Sequence, residues 1–300
     1  MATPPENLKP GSPFGASIQA MALYMHYCQM VSYQRLVAMF DEIFHLKISE
    51  GAIRNIFKKT EPLLEKMIAD IEEKILGSPF ILSDETSARV KGQKFWQWVF
   101  IGKDAVLHVI KPTRGKSVPQ DIFGDHHPDF WVSDMYGGQM GLGETHQVCL
   151  AHQLRNLQYA IEAGDMVFSP RIHRLLVQAI RIGQKRDRLD DPALKRFRAA
   201  LEKRLAEIML LEPQTKDGQR LHRRYQKIPD SLFVFITQRD LPATNNRSEQ
   251  ALRFSVIFRK VLNGFRSEWG KDIFANIRSV IDTEKLAGLS SYKAIRTITG

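Results

Sequence analysis

Apolar positions recur at helical spacing through residues 16–30 and 33–45. After a short break they recur again in SEGAIRNIFKKTEPLLEKMIADIEEKI, where Ser49 is placed to cap the helix. Two helices, a short turn and a third helix make 16–78 a helical, helix-turn-helix-like segment, suited to DNA binding or oligomerisation; a small helical bundle carries the same pattern. Residues 1–15, rich in Pro and Gly, read as a linker. From about residue 80 the texture changes. FILSDETSARV, KFWQWVFIG and AVLHVIKPT are short and rich in aromatic and β-branched residues, and they predict three consecutive strands. PQDIFG predicts a short helix, FWVSDMYGG a fourth strand ending in a glycine turn, and THQVCL a fifth strand. After Leu150 the period is helical almost to the end. Ser169-Pro170 and Asp191-Pro192 read as N-caps followed by proline at the first helical position. Asn263-Gly264 and Gly288 end helices over about 246–262 and 268–286, and a short helix follows at 290–298.

This succession is α/β. Three strands, helix, strand, helix, strand is the order of a ribonuclease-H-like mixed five-stranded sheet, an analogy of topology. The expected organisation is the N-terminal helical segment (16–78), a first part of the core (79–163), a basic helical insertion (164–240) and C-terminal helices completing the core (241–300).

Charge sharpens the picture because it is uneven. Residues 1–149 carry 15 Lys and Arg against 17 Asp and Glu, while 150–240 carry 18 against 11 and 241–300 carry 10 against 5. The whole excess of +10 therefore lies in the second half. A basic half beside a neutral one is what phosphate-backbone binding calls for; a solvated basic surface is the bland alternative. The apolar run ASIQAMALYMHYCQMV is interrupted by Gln, His and Tyr, so neither a membrane span nor a leader is expected, and a cytoplasmic protein is. Two cysteines, Cys28 and Cys149, are too few for a disulfide framework or a four-cysteine zinc site. No GxGxxG or P-loop sequence points to a nucleotide cofactor.

Candidate chemistry lies in three acids. Asp84 sits mid-strand in ILSDET, where a carboxylate among apolar neighbours costs free energy unless it is paired or binds a cation. Alternation puts Leu82, Asp84 and Thr86 on one face and Ser83 and Glu85 on the other. Asp134 closes a strand just before Tyr136-Gly137-Gly138, where α/β sheets present ligands. Either aspartate also fits a solvated edge or turn. Glu249, in TNNRSEQALR, suits a capping box with Asn246 as cap, or an ion pair with Arg253 one turn on. Phosphodiester chemistry draws such acids together, because two Mg²⁺ ions about 3.5–4 Å apart, held by carboxylates, activate the attacking oxygen and stabilise the leaving one.

ILSDETSARV with KFWQWVF, then WVSDMYGG with VCLAHQLRN, then LPATNNRSEQALRFSVIFRKVLNGFRSEWG resemble, in that order, the insertion sequence 66 family of DDE transposases. ASIQAMALYMHYCQMVSYQRLVAMF resembles the stretch before that family's catalytic domain. The resemblance runs from about 15 to 298 and is most specific in the third block, where the paired Asn, the Glu, Arg253 and Arg259-Lys260 coincide. It implies a ribonuclease-H-like core with Asp84, Asp134 and Glu249 as catalytic and metal-binding triad, spaced by 50 and 115 residues. It implies two Mg²⁺ (or Mn²⁺) ions per site, metal-dependent cleavage and strand transfer of an insertion sequence, and double-stranded DNA, element ends and target, as partner. A homodimer or higher oligomer on DNA in the bacterial cytoplasm, associated with the nucleoid, completes the expectation. Members of the family carry further N-terminal segments with a cysteine-rich zinc-binding module; none is present here, so a shortened copy is expected. The alternatives are a catalytically silent copy that competes for DNA and a nuclease on the same fold that hydrolyses without joining.

Arg155, Asn245, Asn246, Arg253, Arg259, Lys260 and Arg266 are the candidate DNA contacts, the arginines offering bidentate grips on phosphate; a solvated helix face is the alternative for those after Glu249. Cys149-x-x-His152, with His146 just before, has zinc-like spacing but no evident fourth ligand, so packing beside the triad or organising it is the expected role of Cys149 and His152. Trp96, Trp98 and Trp131 are expected in the core, and Trp269 either packs inward or stacks on an unpaired base.

Overall fold

The computed structural model describes residues 14–299, so the linker expected over 1–15 lies outside the described residues except at its last two positions. The chain opens with helices α1 (Ala16–Tyr27), α2 (Tyr33–Phe44), α3 (Glu50–Lys58) and α4 (Glu61–Leu76). Ser32 and Ser49 start α2 and α3 by accepting from the Arg35 and Ala52 amides at 3.4 and 3.1 Å. The long helix expected from Ser49 onward is broken in two at Lys59-Thr60. Pro62 lacks an N–H and would break a helix interior, but it suits the first turn of α4.

Strands β1 (Phe80–Val90), β2 (Gln93–Ile101) and β3 (Val106–Lys111), helix α5 (Ser117–Phe123), and strands β4 (Phe130–Ser133) and β5 (Thr145–Val148) follow where the pattern predicts them. They form one five-stranded sheet in the order β3-β2-β1-β4-β5. β2 and β3 are antiparallel, whereas β4 runs parallel to both β1 and β5, so the sheet is mixed. The β4–β5 link holds a 3₁₀ turn at Gly137–Gln139 in place of the expected helix. Its glycines disfavour helix, and Gly143 is packed so closely that a Cβ there would lie 2.9 Å from the Pro128 carbonyl.

The remainder is helical: α6 (Leu150–Glu162), α7 (Ser169–Gly183), α8 (Asp191–Ile208), α9 (Lys216–Tyr225), α10 (Val234–Thr237), α11 (Asn246–Val261), α12 (Glu268–Leu286) and α13 (Ser291–Thr299). Asn263 (φ 58°), Gly264 (φ 78°) and Gly288 (φ 83°) take left-handed conformations just beyond α11 and α12, as the stop signals predict. Two start signals are displaced. Asp190, not Asp191, caps α8 by accepting from the Ala193 amide at 2.8 Å. Ser169 lies inside α7, and Asp165 takes over the cap by accepting from the Phe168 and Ser169 amides.

The chain forms two compact units. One comprises Pro79–Asp84 and Gly115–Glu249; the other comprises the residues up to Ser78, Glu85–Arg114 and Gln250 onward. β1 and α11 each begin in the first and continue in the second. The basic stretch 164–240, expected as a helical insertion, forms α7–α10 and packs with α6 and β5 inside the first unit. That unit's core holds Trp131, Phe168, Tyr225, Phe233 and Phe235, all fully buried. In the second, α12 lies on β3, where the Thr283 and Ser279 hydroxyls accept from the Val106 and His108 amides at 2.9 and 2.8 Å. Tyr27, Phe57, Phe258 and Phe274 cluster in the same core. Among the described residues no helix is long and apolar enough to cross a membrane.

Candidate functional site

In the first unit β4 and β5 end side by side, and the first half of β1, which runs on to Val90, lies parallel to β4. Phe80 pairs with Phe130 and Leu82 with Val132, while Ser133 pairs with Val148. Carrying the register forward aligns Asp84, Asp134 and Cys149 on successive strands. The Cys149 amide, donating to the Ser133 carbonyl at 2.8 Å, holds that alignment past the end of β5. Neighbouring strands lie about 4.8 Å apart, so Asp84 and Asp134 are side by side at the ligand-presenting edge. Asp84 is half-buried within β1, whereas Glu85, on the opposite face, is buried and paired with Arg114 at 2.5 Å.

Asp134 leaves β4 into the glycine turn, and its Oδ1 accepts from the Tyr136 amide at 2.8 Å, an Asx-turn that fixes the carboxylate. His146, on β5, feels its charge. Burial pulls His146 down to about 4, outweighing the opposing pull of the Asp134 charge and of the bond at Ser133, so its ring is neutral at pH 7. Its Nε2 lies 3.2 Å from the Ser133 hydroxyl.

Glu249 reaches this edge through a tethered loop. The Leu150 amide donates to the Ala243 carbonyl at 3.0 Å, and the Asn245 amide donates to Cys149 Sγ at 3.1 Å. Asn245 Nδ2 donates to the Ser83 carbonyl at 2.7 Å, one residue before Asp84. The Asn245 carbonyl accepts from the Ser248 and Glu249 amides, and its Oδ1 accepts from the Ser248 hydroxyl at 2.7 Å. Asn245 is therefore the cap of α11 in place of the expected Asn246, and Ser248 is its side-chain partner. Glu249 falls at the fourth helical position and has no capping role. Its Oε1 faces His152, 3.5 Å from Nδ1, rather than Arg253.

Those two atoms are buried and neither has a hydrogen bond. With Cys149 Sγ they form a set whose ligand atoms all lie within 4.8 Å of one another. Among the described residues this trio, rather than the three carboxylates, meets that distance. Burial pushes the Cys149 thiol up, against the downward pull of the Asn245, His152 and Ala151 amides. The edge thus offers two aspartates in register, suited to hard divalent cations, and a glutamate whose buried oxygen lacks a donor. Asp84, Asp134, Cys149, His152 and Glu249 all belong to the same unit.

The expected DNA contacts divide. Arg155 and Asn246 are exposed in the unit of the acids, and Arg253, Lys260 and Arg266 are exposed in the other. Asn245, by contrast, is 1% exposed, and its side-chain amide is bonded to the Ser83 carbonyl and the Ser248 hydroxyl. Arg259 is half-buried, with Nη2 donating to the Thr86 hydroxyl at 3.1 Å. Trp98 and Trp131 are fully buried as expected. Trp96 is half-buried with Lys94 and Arg114 over its ring, and Trp269 is half-buried, with its Nε1 donating to Glu61. Sequence reasoning missed the Asn245–Ser83 tie, which joins residues 162 apart, and the electrostatic pull of Asp134 on His146. No local spacing signals either one. Cys28 and Cys149 are both free thiols.

Comparison with known proteins places these features in a wider group. The family model described as "Transposase IS66 family" matches residues 11–273. No curated protein matches the chain.

Proposed function

The chain belongs to the IS66 family of transposases, and from that premise we propose that it is a DDE-type enzyme cutting and joining DNA on a ribonuclease-H-like core. The observation that carries the reading is the strand-end geometry. Asp84 and Asp134 are in register on adjacent parallel strands, and Asn245 ties the start of the Glu249 helix to Ser83. Such an edge can collect carboxylates from distant parts of the chain.

Asp84, Asp134 and Glu249 are the residues that would hold Mg²⁺ or Mn²⁺. A pair of such ions, when bound, lowers the pKa of the attacking oxygen and neutralises charge on the leaving one. The protein's own part is positional. The Tyr136 amide fixes the Asp134 carboxylate, and Asn245 anchors the first turn of α11. His152 stands against Glu249 Oε1, where it orients the carboxylate. In the cleavage step water oxygen attacks the phosphorus at the element end, a new P–O bond forms, and the element's 3′ oxygen leaves to become a hydroxyl. In the joining step that hydroxyl attacks a target phosphodiester, and the target's own 3′ oxygen leaves in its place. Arg155, Asn246, Arg253, Lys260 and Arg266 supply exposed contacts to the backbone.

Triad substitution tests the reading. Asp84→Asn, Asp134→Asn and Glu249→Gln are each expected to lower Mg²⁺-dependent cleavage and joining of a labelled element end by at least about a thousandfold, on the order of 4 kcal/mol in the barrier. Unchanged rates in any one of the three would remove that residue from the site. Product analysis then separates joining from simple hydrolysis, since only strand transfer yields covalently linked molecules.

A further inference from the structure

A second polar recess lies in the other unit, built from β1 and the turn after α11. Ser87, Ala88 and Arg89 of β1 form one wall, and Arg259, Asn263 and Gly264 form the other, around a cavity of about 210 Å³. The turn is fastened to the strand. The Phe265 amide donates to the Arg89 carbonyl at 2.9 Å, the Lys91 amide donates to the Phe265 carbonyl at 2.8 Å, and Val90 and Phe265 form a parallel bridge. Gly264 is required there, because φ is +78° and a Cβ would lie 3.0 Å from the Arg89 carbonyl. The walls are therefore set in advance of any ligand.

What they enclose is positive charge without a counter-charge. Among the described residues neither Arg89 nor Arg259 forms an ion pair with a carboxylate. One Arg259 guanidinium nitrogen is bonded to Thr86, and another, Nη1, is buried with no hydrogen-bond partner. Burial lowers the Arg259 pKa. A half-buried guanidinium with an unmet donor is costly, and the cost is relieved by an anion with several acceptor oxygens. The other side chains at the rim, Ser87 and Asn263, both carry donors. The recess has a volume of about 210 Å³. It suits one tetrahedral oxyanion with part of its hydration and is below the usual range for drug-sized ligands.

We infer that this recess, framed by Arg89, Arg259, Ser87 and Asn263, seats a single backbone phosphate of the bound DNA. The inference rests on the DNA reading proposed above and adds a specific seat, including Arg89 and Ser87, which lie outside the set expected from sequence. Arginine is the fitting residue, since its planar fork takes phosphate oxygens bidentately.

The test is the salt dependence of duplex binding. Each phosphate neutralised contributes about 0.9 to the slope of log affinity against log salt concentration. With the full chain and a short labelled duplex, Arg89→Gln/Arg259→Gln is expected to lower that slope by roughly one. Arg89→Gln alone, at an exposed position, covers the case in which the Arg259 change unfolds the protein, and it too must lower the slope. Wild-type slopes in a folded variant overturn the seat while leaving DNA binding intact. If the wild-type chain binds no duplex, the DNA reading itself fails. A thermal shift by inorganic phosphate over chloride at equal ionic strength then decides the recess. A shift that is lost in Arg89→Gln keeps it as an oxyanion seat, and no shift removes it altogether.

Discussion

Asn245 and Glu249 stand four residues apart and carry opposite kinds of burden. Asn245 is buried, caps α11 and satisfies the Ser83 carbonyl; Glu249 is partly exposed, caps nothing and presents a buried oxygen with no donor. Asn245→Ala is expected to destabilise the protein by about 1–3 kcal/mol, through the lost bond to the Ser248 hydroxyl and an unpaired buried Ser83 carbonyl. Glu249→Ala is expected to change stability by less than about 0.5 kcal/mol, because no cap is lost. Urea denaturation of the two variants decides it; equal losses would return Glu249 to a structural role. The places of two acids were legible in sequence, Asp84 inside an apolar strand and Asp134 at a strand end before glycine. Which of the paired asparagines caps the helix was not, since both are good caps and the choice is made by Ser83 and Cys149, far away in the chain.

Helix starts show the same division between local rules and distant partners. Ser49 caps α3 as predicted because cap and helix are contiguous. Ser169-Pro170 misled by carrying the local signature while Asp165, four residues upstream, performs the capping. Asp165 is fully buried and accepts from the Ser169 amide and hydroxyl and from the Phe168 and Gln214 amides, joining the α6–α7 link to the segment before α9. Burial raises its pKa, but those donors together outweigh it, and the carboxyl is held below its ordinary value. Gly218, in the first turn of α9, is pressed against this carboxylate: a Cβ there would lie 2.4 Å from Asp165 Oδ2 and 2.9 Å from Pro213 Cβ. Gly218→Ala is therefore expected to destabilise by about 1–3 kcal/mol, although alanine ordinarily favours a helix. A melting temperature at or above wild type would show that the Asp165 junction yields freely.

At the scale of the whole molecule, strand and helix periods made the α/β class and the mixed sheet readable, because the first three strands lie in runs of aromatic and β-branched residues. The division into two units was not readable, since β1 and α11 each continue from one unit into the other and neither carries a break in its pattern. One global property follows from burial in each unit. His26 in α1 is enclosed by Tyr27, Tyr33, Phe57 and Phe258 and lies 2.7 Å from the Val31 carbonyl. Desolvation brings it down to about 4 despite that bond, and His146 in the other unit is likewise brought to about 4. Both are depressed in the folded state, so the unfolded chain binds more protons, and stability rises with pH across the window between the folded values and the unfolded value near 6.5. Stability is fully present above about 6.5 and drains as pH falls toward 4, by about 2 kcal/mol per histidine between pH 7 and 5. Below that window Asp282 adds its own loss. Arg278 and His108 hold its carboxyl at about 2 against the upward push of burial, so its contribution disappears as pH falls from about 4 to 2. Replacing His26 with Gln, which keeps a donor for Val31, is expected to flatten the decline between pH 7 and 5 by about 2 kcal/mol, whatever it does to stability at pH 7. Denaturation curves at the two pH values measure that difference directly. An undiminished decline in the folded variant would mean that His26 takes up its proton without opening the aromatic cluster around it.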